Sequence, residues 1–356
     1  MSKTYDYSVL IGRFNPCHAG HVKVIAKALE ISDYIILVLG SQNIARNTRN
    51  PFTVAERKEM ILASLPLELI PRVVLTSAND YMYNDTRWIA GIQSAVQEAI
   101  HIHKQTAIYT NNNFKDYNFR IALAGMHKDG TSYYLNNFPM WDNSIAVTPA
   151  EWDGEILSAT AIRKRLFNHE LEYCSEMAPE AKKLIYSYME NDKVGWDRLF
   201  ADHKYENSYE AIYGKGPHVT VDGLVVQSGN ILLVERGQEY GRGLLALPGG
   251  FLNPRERIID ACIREMREET RLKVPEKVLL GSLEKVEVFD NPYRSNRSHI
   301  ITHVHHFNLN PSGELPKVQG ADDAAKAHWY PISLIQNMAH MFFEDHYYII
   351  AKMLGL

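Results

Sequence analysis

The stretch Gly12-Arg13-Phe14-Asn15-Pro16-Cys17-His18-Ala19-Gly20-His21 follows a short apolar run, Tyr7-Ser8-Val9-Leu10-Ile11, and precedes Val22, Ile25, Ala26 and Leu29 at helical spacing. The order is strand, glycine-rich turn, helix. A helix N-terminus offers unpaired N–H groups and a positive dipole end, so a turn placed there attracts phosphate. Gly12 permits close approach of backbone to a ligand. His18 and His21, three apart at the helix start, can face one point and stabilise charge developing on phosphate oxygens. A bare H-x-x-H is more often a pair of surface histidines. Gly12, Pro16 and Gly20 in register favour the phosphate reading.

The same alternation continues outward. Tyr34–Leu39 reads as a second apolar strand, stopped by Gly40. Thr53–Leu65 reads as a helix whose Thr53 and Glu56 resemble a capping box. Val73–Leu75, Ile121–Ala124 and Ile145–Val147 read as further strands, Arg87–Ile100 as a helix and Ala181–Glu190 as a closing helix. This βαβ rhythm predicts a parallel sheet with helices on both faces and ligands at the carboxyl ends of the strands. Residues 191–217 are polar and weakly periodic and read as a connector. From His218 strands dominate: Val219–Val226, Ile231–Glu235, Val278–Phe289, Ile300–Leu309 and His328–Tyr330, with helices near Glu256–Thr270 and Glu344–Leu354. The expected organisation is an α/β domain over 1–190, a connector over 191–217 and an α+β domain over 218–356.

The opening stretch resembles the G-x-F-x-P-x-H-x-G-H motif of the nucleotidyltransferase superfamily. That resemblance implies a Rossmann-like domain in which Gly12, Arg13, Phe14, His18, Gly20 and His21 surround the nucleotide. Downstream, Leu157-Ser158-Ala159-Thr160-Ala161-Ile162-Arg163 resembles the superfamily's I-S-x-T-x-x-R motif. Ser158 and Thr160 offer hydroxyls and a helix cap, and Arg163 a planar fork for β/γ-phosphates. Gly40-Ser41-Gln42-Asn43, Asn50–Arg57 and Asn84-Asp85-Thr86-Arg87-Trp88 look like the archaeal-type nicotinamide mononucleotide (NMN) adenylyltransferases. In that family the nicotinamide ring stacks on a tryptophan; Trp88 occupies the place, with a core aromatic as the bland alternative. The resemblance also brings in Arg57, Asn84, Lys128 and Asp129, although Gly125-Met126-His127-Lys128-Asp129 is shifted by one residue from the family's G-H-x-K-D loop. The implied reaction is attack of the NMN phosphate on the α-phosphorus of ATP, giving NAD and pyrophosphate. His18, His21, Arg163 and Arg57 would stabilise charge, and Mg²⁺ would sit on the phosphates.

A second constellation lies at Pro248-Gly249-Gly250, Glu256 and Arg264-Glu265-Met266-Arg267-Glu268-Glu269. Glu265 and Glu269 share a helical face with Glu268 adjoining, and clustered carboxylates seek a hard cation such as Mg²⁺, with Mn²⁺ as an alternative. A solvated charged helix is the usual fate of such a run. Its spacing back to the two glycines makes it a near match to the Nudix box, and the departure is Thr270-Arg271 where that box continues to glycine. The resemblance implies metal ligation by Glu265, Glu268, Glu269 and the Gly250 carbonyl, with catalysis at Glu268 and Glu269. Fused adenylyltransferase–Nudix proteins typically carry an ADP-ribose pyrophosphatase-like half. Arg294, Arg297, Glu256 and Asp322 are its candidate ADP-ribose contacts.

Net charge is −4 and hydrophobic residues make up 46% of the 356 residues, which exclude a disordered chain and argue against nucleic-acid or membrane coating. Three scattered cysteines, Cys17, Cys174 and Cys262, fit a reducing, cytoplasmic setting. His299, His303, His305 and His306 lack a zinc pattern and read as strand histidines. The implied partners are the small molecules ATP, NMN and ADP-ribose; a homo-oligomer is compatible. One alternative makes the Nudix half a ligand sensor, or a hydrolase of another nucleoside diphosphate derivative. Another gives the first half a different phosphorylated substrate.

Overall fold

The computed structural model describes residues 3–108, 119–126, 134–147, 158–310 and 314–356. The chain divides into two compact units, Met1–Lys193 and Val194–Leu356. In the first, β1 (Tyr5–Gly12), α1 (Ala19–Ile31), β2 (Ser32–Leu39), α2 (Val54–Ser64), β3 (Val73–Ser77), α3 (Asp85–Ile108), β4 (Ile121–Met126), β5 (Asp142–Val147), α4 (Ala159–Phe167) and α5 (Pro179–Asn191) follow in order. The strands form a parallel sheet in the order β3-β2-β1-β4-β5. Strands covered on both faces must be apolar on both. Leu10, Leu37 and Leu39 face Val24, Ile25 and Leu29 of α1, while Val9, Ile36 and Val38 face Ile92, Val96 and Ile100 of α3. Strand order reverses between β1 and β4, so the loop leaving β1 opens into the crevice at the carboxyl edge. Thr53 and Glu56 form the reciprocal capping box that starts α2.

The second unit contains most of α6 (Lys193–Tyr213), then β6 (His218–Gln227), β7 (Asn230–Arg236), β8 (Leu245–Ala246), β9 (Gly249–Phe251), α7 (Ile258–Thr270), α8 (Glu276–Gly281), β10 (Leu283–Phe289), β11 (Ile300–Leu309), β12 (Ala324–Pro331) and α9 (His346–Leu354). A mixed sheet runs β10-β11-β6-β7-β12, with β8 on β7 and β9 on β6. Helix α7 lays Ala261, Cys262 and Met266 against Val221, Val225, Leu232 and Phe307 of the sheet.

Two expectations need correction. The stretch 191–217 is mostly helix, because α6 buries Trp196, Leu199, Asp202 and Tyr209, a set too polar to show an apolar stripe. The strand expected from Val278 begins at Leu283. Val278 and Leu280 are exposed around buried Leu279, so a single helical turn mimics strand alternation. Among the described residues no helix is long and apolar enough to cross a membrane.

Helix α7 exits through Arg271 in the left-handed conformation, φ 52° and ψ 27°, at the position where the motif carries glycine. An L-residue there costs roughly 1–2 kcal/mol. Arg271→Gly is expected to raise unfolding stability by about 1 kcal/mol, read as the midpoint of a urea titration. A lower midpoint would mean that the 3.3 Å Arg271–Gln319 contact outweighs the strain.

Candidate active sites

The first site is built on the loop after β1. His18 is the N-cap of α1. Its Nδ1 accepts from Gly20 N at 3.1 Å, and His21 Nδ1 accepts from His18 N at 3.3 Å. The two imidazoles therefore form a capping box in place of the usual hydroxyl and carboxylate. Each Nδ1 is an acceptor, which leaves each Nε2 to carry the N–H. The rings lie 3.9 Å apart, and the buried Phe14 ring stands 4.8 Å from His21. Phe14 is thus a packing support for His21 rather than an exposed contact. Gly12 is confined by that same ring, since a Cβ there would lie 3.2 Å from Phe14.

Arg163, on α4, donates from Nη1 to Asn15 O at 2.8 Å and from Nη2 to Thr160 Oγ1 at 3.0 Å. Ser158 caps α4 by accepting from Thr160 N. Burial first, then repulsion from Arg13 and Arg49, pushes Arg163 down to about 10. Three cations within electrostatic reach make a site for a polyanion. Arg49 escaped the sequence reading. It sits in the Asn47–Asn50 turn, tied to the β1 loop through Asn50 and Asn15, and the asparagines flanking it were the available signal.

Arg57 is reassigned. Its guanidinium donates to the carbonyls of Arg13 (2.8 Å), Gly40 (2.7 Å), Ser41 and Thr53. It is 1% exposed and braces the loops after β1 and β2 against each other. Asn84 is exposed and accepts from Arg87 N at 2.9 Å, as a cap for α3. Trp88 is half-buried, edge-on to Tyr134 and Phe138, and packs against the α3 face of the core. Lys128 and Asp129 lie outside the described residues.

The second site joins β9 to α7. Gly249 and Gly250 pair with Asp222 and Val221 of β6. A Cβ on Gly249 would lie 2.1 Å from Val221 O, and one on Gly250 would lie 2.6 Å from the carboxyl carbon of Glu265. The Gly249 position excludes any side chain because its obstacle is backbone, whereas at Gly250 the obstacle is the carboxyl end of Glu265. Glu269 Oε2 accepts from Gly249 N at 2.9 Å. Arg264 gathers Glu256 (2.8 and 2.9 Å), Glu265 (2.7 Å) and Glu268 (2.9 Å). Glu256 is held down to about 2, chiefly by its hydrogen bond to Arg264. Both of its oxygens meet Arg264, so it anchors that guanidinium.

Arg294 and Arg297 also differ from expectation. Arg294 makes a buried bidentate pair with Asp345 (2.8 and 2.9 Å), and Arg297 meets Glu344 at 3.1 Å. Both line the cavity beside α7, with Asp322, but their charges are already matched. Ala321 N donates to Glu269 O at 2.9 Å, which sets the loop carrying Asp322 next to α7.

Among the described residues no three acidic, histidine or cysteine side chains are grouped so as to hold a metal ion. The donor set still fits a hard divalent cation. Glu265, Glu268 and Glu269 supply oxygens, and the missing Cβ of Gly250 leaves room beside Glu265.

Residues 9–165 match the cytidylyltransferase-like family model and residues 216–353 the NUDIX domain model. A crystal structure of a bifunctional NMN adenylyltransferase/ADP ribose pyrophosphatase from Francisella tularensis is 32% identical, with a TM-score of 0.84 over 99% of both chains. The chain belongs to this bifunctional family. A second Francisella structure, described as complexed with AMP and a manganese ion, has a TM-score of 0.81 at the same identity and coverage. Each half of this family member also has separate relatives. The nicotinamide/nicotinic acid mononucleotide adenylyltransferase of Acinetobacter baylyi is 33% identical over 47% of this chain and 78% of its own. The ADP-ribose pyrophosphatase of Methanocaldococcus jannaschii is 35% identical over 35% of this chain and 67% of its own.

Burial first, and then the neighbouring carboxylate of Glu265, pushes Glu269 up to about 8. Between the ordinary glutamate range and pH 8 the folded chain holds a proton that the unfolded chain has lost. This group's contribution to stability therefore falls as pH rises through that window. In chelator, Glu269→Gln is expected to be more stable than wild type at pH 8.5 by on the order of a few kcal/mol, with the gap closing toward pH 5. A gap independent of pH in denaturant titrations would contradict this.

Proposed function

We propose that the first unit transfers AMP from ATP to NMN, giving NAD and pyrophosphate, and that the second hydrolyses ADP-ribose to AMP and ribose 5-phosphate. The likeness to a bifunctional protein over 99% of both chains carries this reading; the two constellations retained in one chain support it. The transferase head is assigned to residues 1–190 and the hydrolase fold to 218–356.

In the transferase, the NMN phosphate oxygen attacks the α-phosphorus of ATP. The bond to the bridging oxygen breaks, and pyrophosphate leaves with the electron pair. The substrate is its own nucleophile, so the chain supplies position and charge. Nε2–H of His18 and His21 would donate to phosphate oxygens. Arg163, Arg13 and Arg49 would neutralise the triphosphate, while Arg57 holds the two loops at the carboxyl edge. Gly20, Ser158 and Thr160 keep these groups in place. Trp88, Asn84, Lys128 and Asp129 remain the candidates for the pyridine nucleotide, and the Acinetobacter relative's name makes nicotinate mononucleotide the second substrate to test.

In the hydrolase, Glu265, Glu268, Glu269 and the Gly250 carbonyl would hold a divalent cation, taken here to be Mg²⁺ with Mn²⁺ as substitute, which would supply polarisation of the pyrophosphate and an activated water. Of these ligands Glu265 and Glu268 meet Arg264, each through one oxygen, which leaves the other oxygen of each for the cation. Asp322, on the loop bound to the end of α7, faces the same cavity.

His21→Ala is expected to lower NAD formation by about 10²–10³-fold with ADP-ribose hydrolysis unchanged. Glu269→Gln is expected to do the reverse. Chromatography of both reactions on the same preparations reads the result. Joint loss of both activities in a folded variant would refute two independent heads.

A further inference from the structure

Four arginines line the hydrolase cavity: Arg236, Arg264, Arg294 and Arg297. Three have hydrogen-bonded carboxylates, as described above. Arg236, at the end of β7, differs. Its Nε donates to Tyr240 O at 3.2 Å and its Nη2 to Gln238 Oε1 at 3.1 Å, both neutral acceptors. Among the described residues it makes no salt bridge, and its Nη1 makes no hydrogen bond. Its guanidinium carbon lies 4.0 Å over the Phe343 ring, which fixes its plane. Burial, and then repulsion from Arg297, depresses its basicity, with Glu344 and Glu269 acting in opposition. A guanidinium in a cavity, short of an anion and within the field of Glu269, is suited to a phosphate oxygen.

The loop after β7, whose Tyr240 carbonyl accepts from this group, is held from outside the Nudix-matched region, which begins at residue 216. Asp202 of α6 is 4% exposed, and its Oδ1 accepts from Gly241 N at 2.9 Å. Gly241 has φ +69°, and a Cβ there would lie 2.5 Å from Phe343. Tyr240 Oη lies 3.1 Å from Glu206 of α6 and 3.2 Å from Glu344. The Tyr240 ring stacks on Tyr205 of α6 at 5.2 Å. The carbonyl of Tyr240 is the same one that receives Arg236 Nε. A continuous chain of contacts therefore runs from α6 to the guanidinium.

We propose that α6 is a working part of the hydrolase pocket: Asp202 and Glu206 fix the 237–243 loop so that Arg236 binds a non-bridging oxygen of the substrate's pyrophosphate. Arg236 is the contact residue, and Asp202 is a positioning residue. This rests on the hydrolase reading given above and extends it to the phosphate contact.

The test measures AMP release from ADP-ribose by the full-length protein, with adenylyl transfer and thermal midpoint as controls on the same samples. Arg236→Ala is expected to raise KM roughly 10- to 100-fold, with kcat changed far less. Asp202→Ala should raise KM about fivefold or more, and the combined variant should be no worse than Arg236→Ala, because the two act through one contact. Asp202→Asn, whose amide oxygen still accepts from Gly241, should restore KM. Unchanged KM in Arg236→Ala overturns the proposal. So do additive effects in the combined variant, or an Asp202→Ala protein that melts lower at an unaltered KM. Failure of the wild-type protein to release AMP would count against the hydrolase reading instead.

Discussion

A charge removed from water needs a partner, and this requirement shapes both units. In the first, arginines are the buried ions, and backbone carbonyls answer them. Arg57 binds the carbonyls of Arg13, Gly40 and Ser41, so one side chain holds together the loops leaving two neighbouring strands. In the second, carboxylates cluster, from exposed Glu268 to buried Glu269. Arg264 collects three of them, and the Gly249 amide meets a fourth. The guanidinium that spans Glu256, Glu265 and Glu268 keeps like charges from forcing α7 away from β9.

The parallel sheet was legible because its strands have no polar face. Leu37 and Val38 sit on opposite sides and both are buried. The mixed sheet was legible in its long strands and not in its short ones. β8 has two residues and β9 three, lengths at which no periodicity exists. Helix α6 was missed for a different reason. Its buried face includes Asp202 and Tyr209, which a hydrophobic pattern does not count.

The residue types of the sites were readable, but the direction of their hydrogen bonds was not. Arg57, Arg294 and Arg297 look like phosphate ligands in the sequence, whereas each is already engaged, by carbonyls or by buried acids. Apart from Thr53, four residues before Arg57, the partners named for them are 16 to 51 residues distant in the chain, beyond any local spacing rule. Arg49 shows the converse. No motif letter announces it, and its place follows from a turn tied to Asn15. The loss of the glycine after Thr270 had a local answer, since Arg271 takes up the left-handed conformation itself.

The paired histidines at the start of α1 have a consequence for how that helix stays wound. Most helices are capped by side-chain oxygens, such as a hydroxyl. Here the acceptors are ring nitrogens, and any event that occupies Nδ1 of His18 or His21 withdraws a cap. An alkylating reagent or a soft metal ion bound there would fray the first turn while the strands beneath it stay paired. The reactive loop and the helix it begins thus share one chemical weak point.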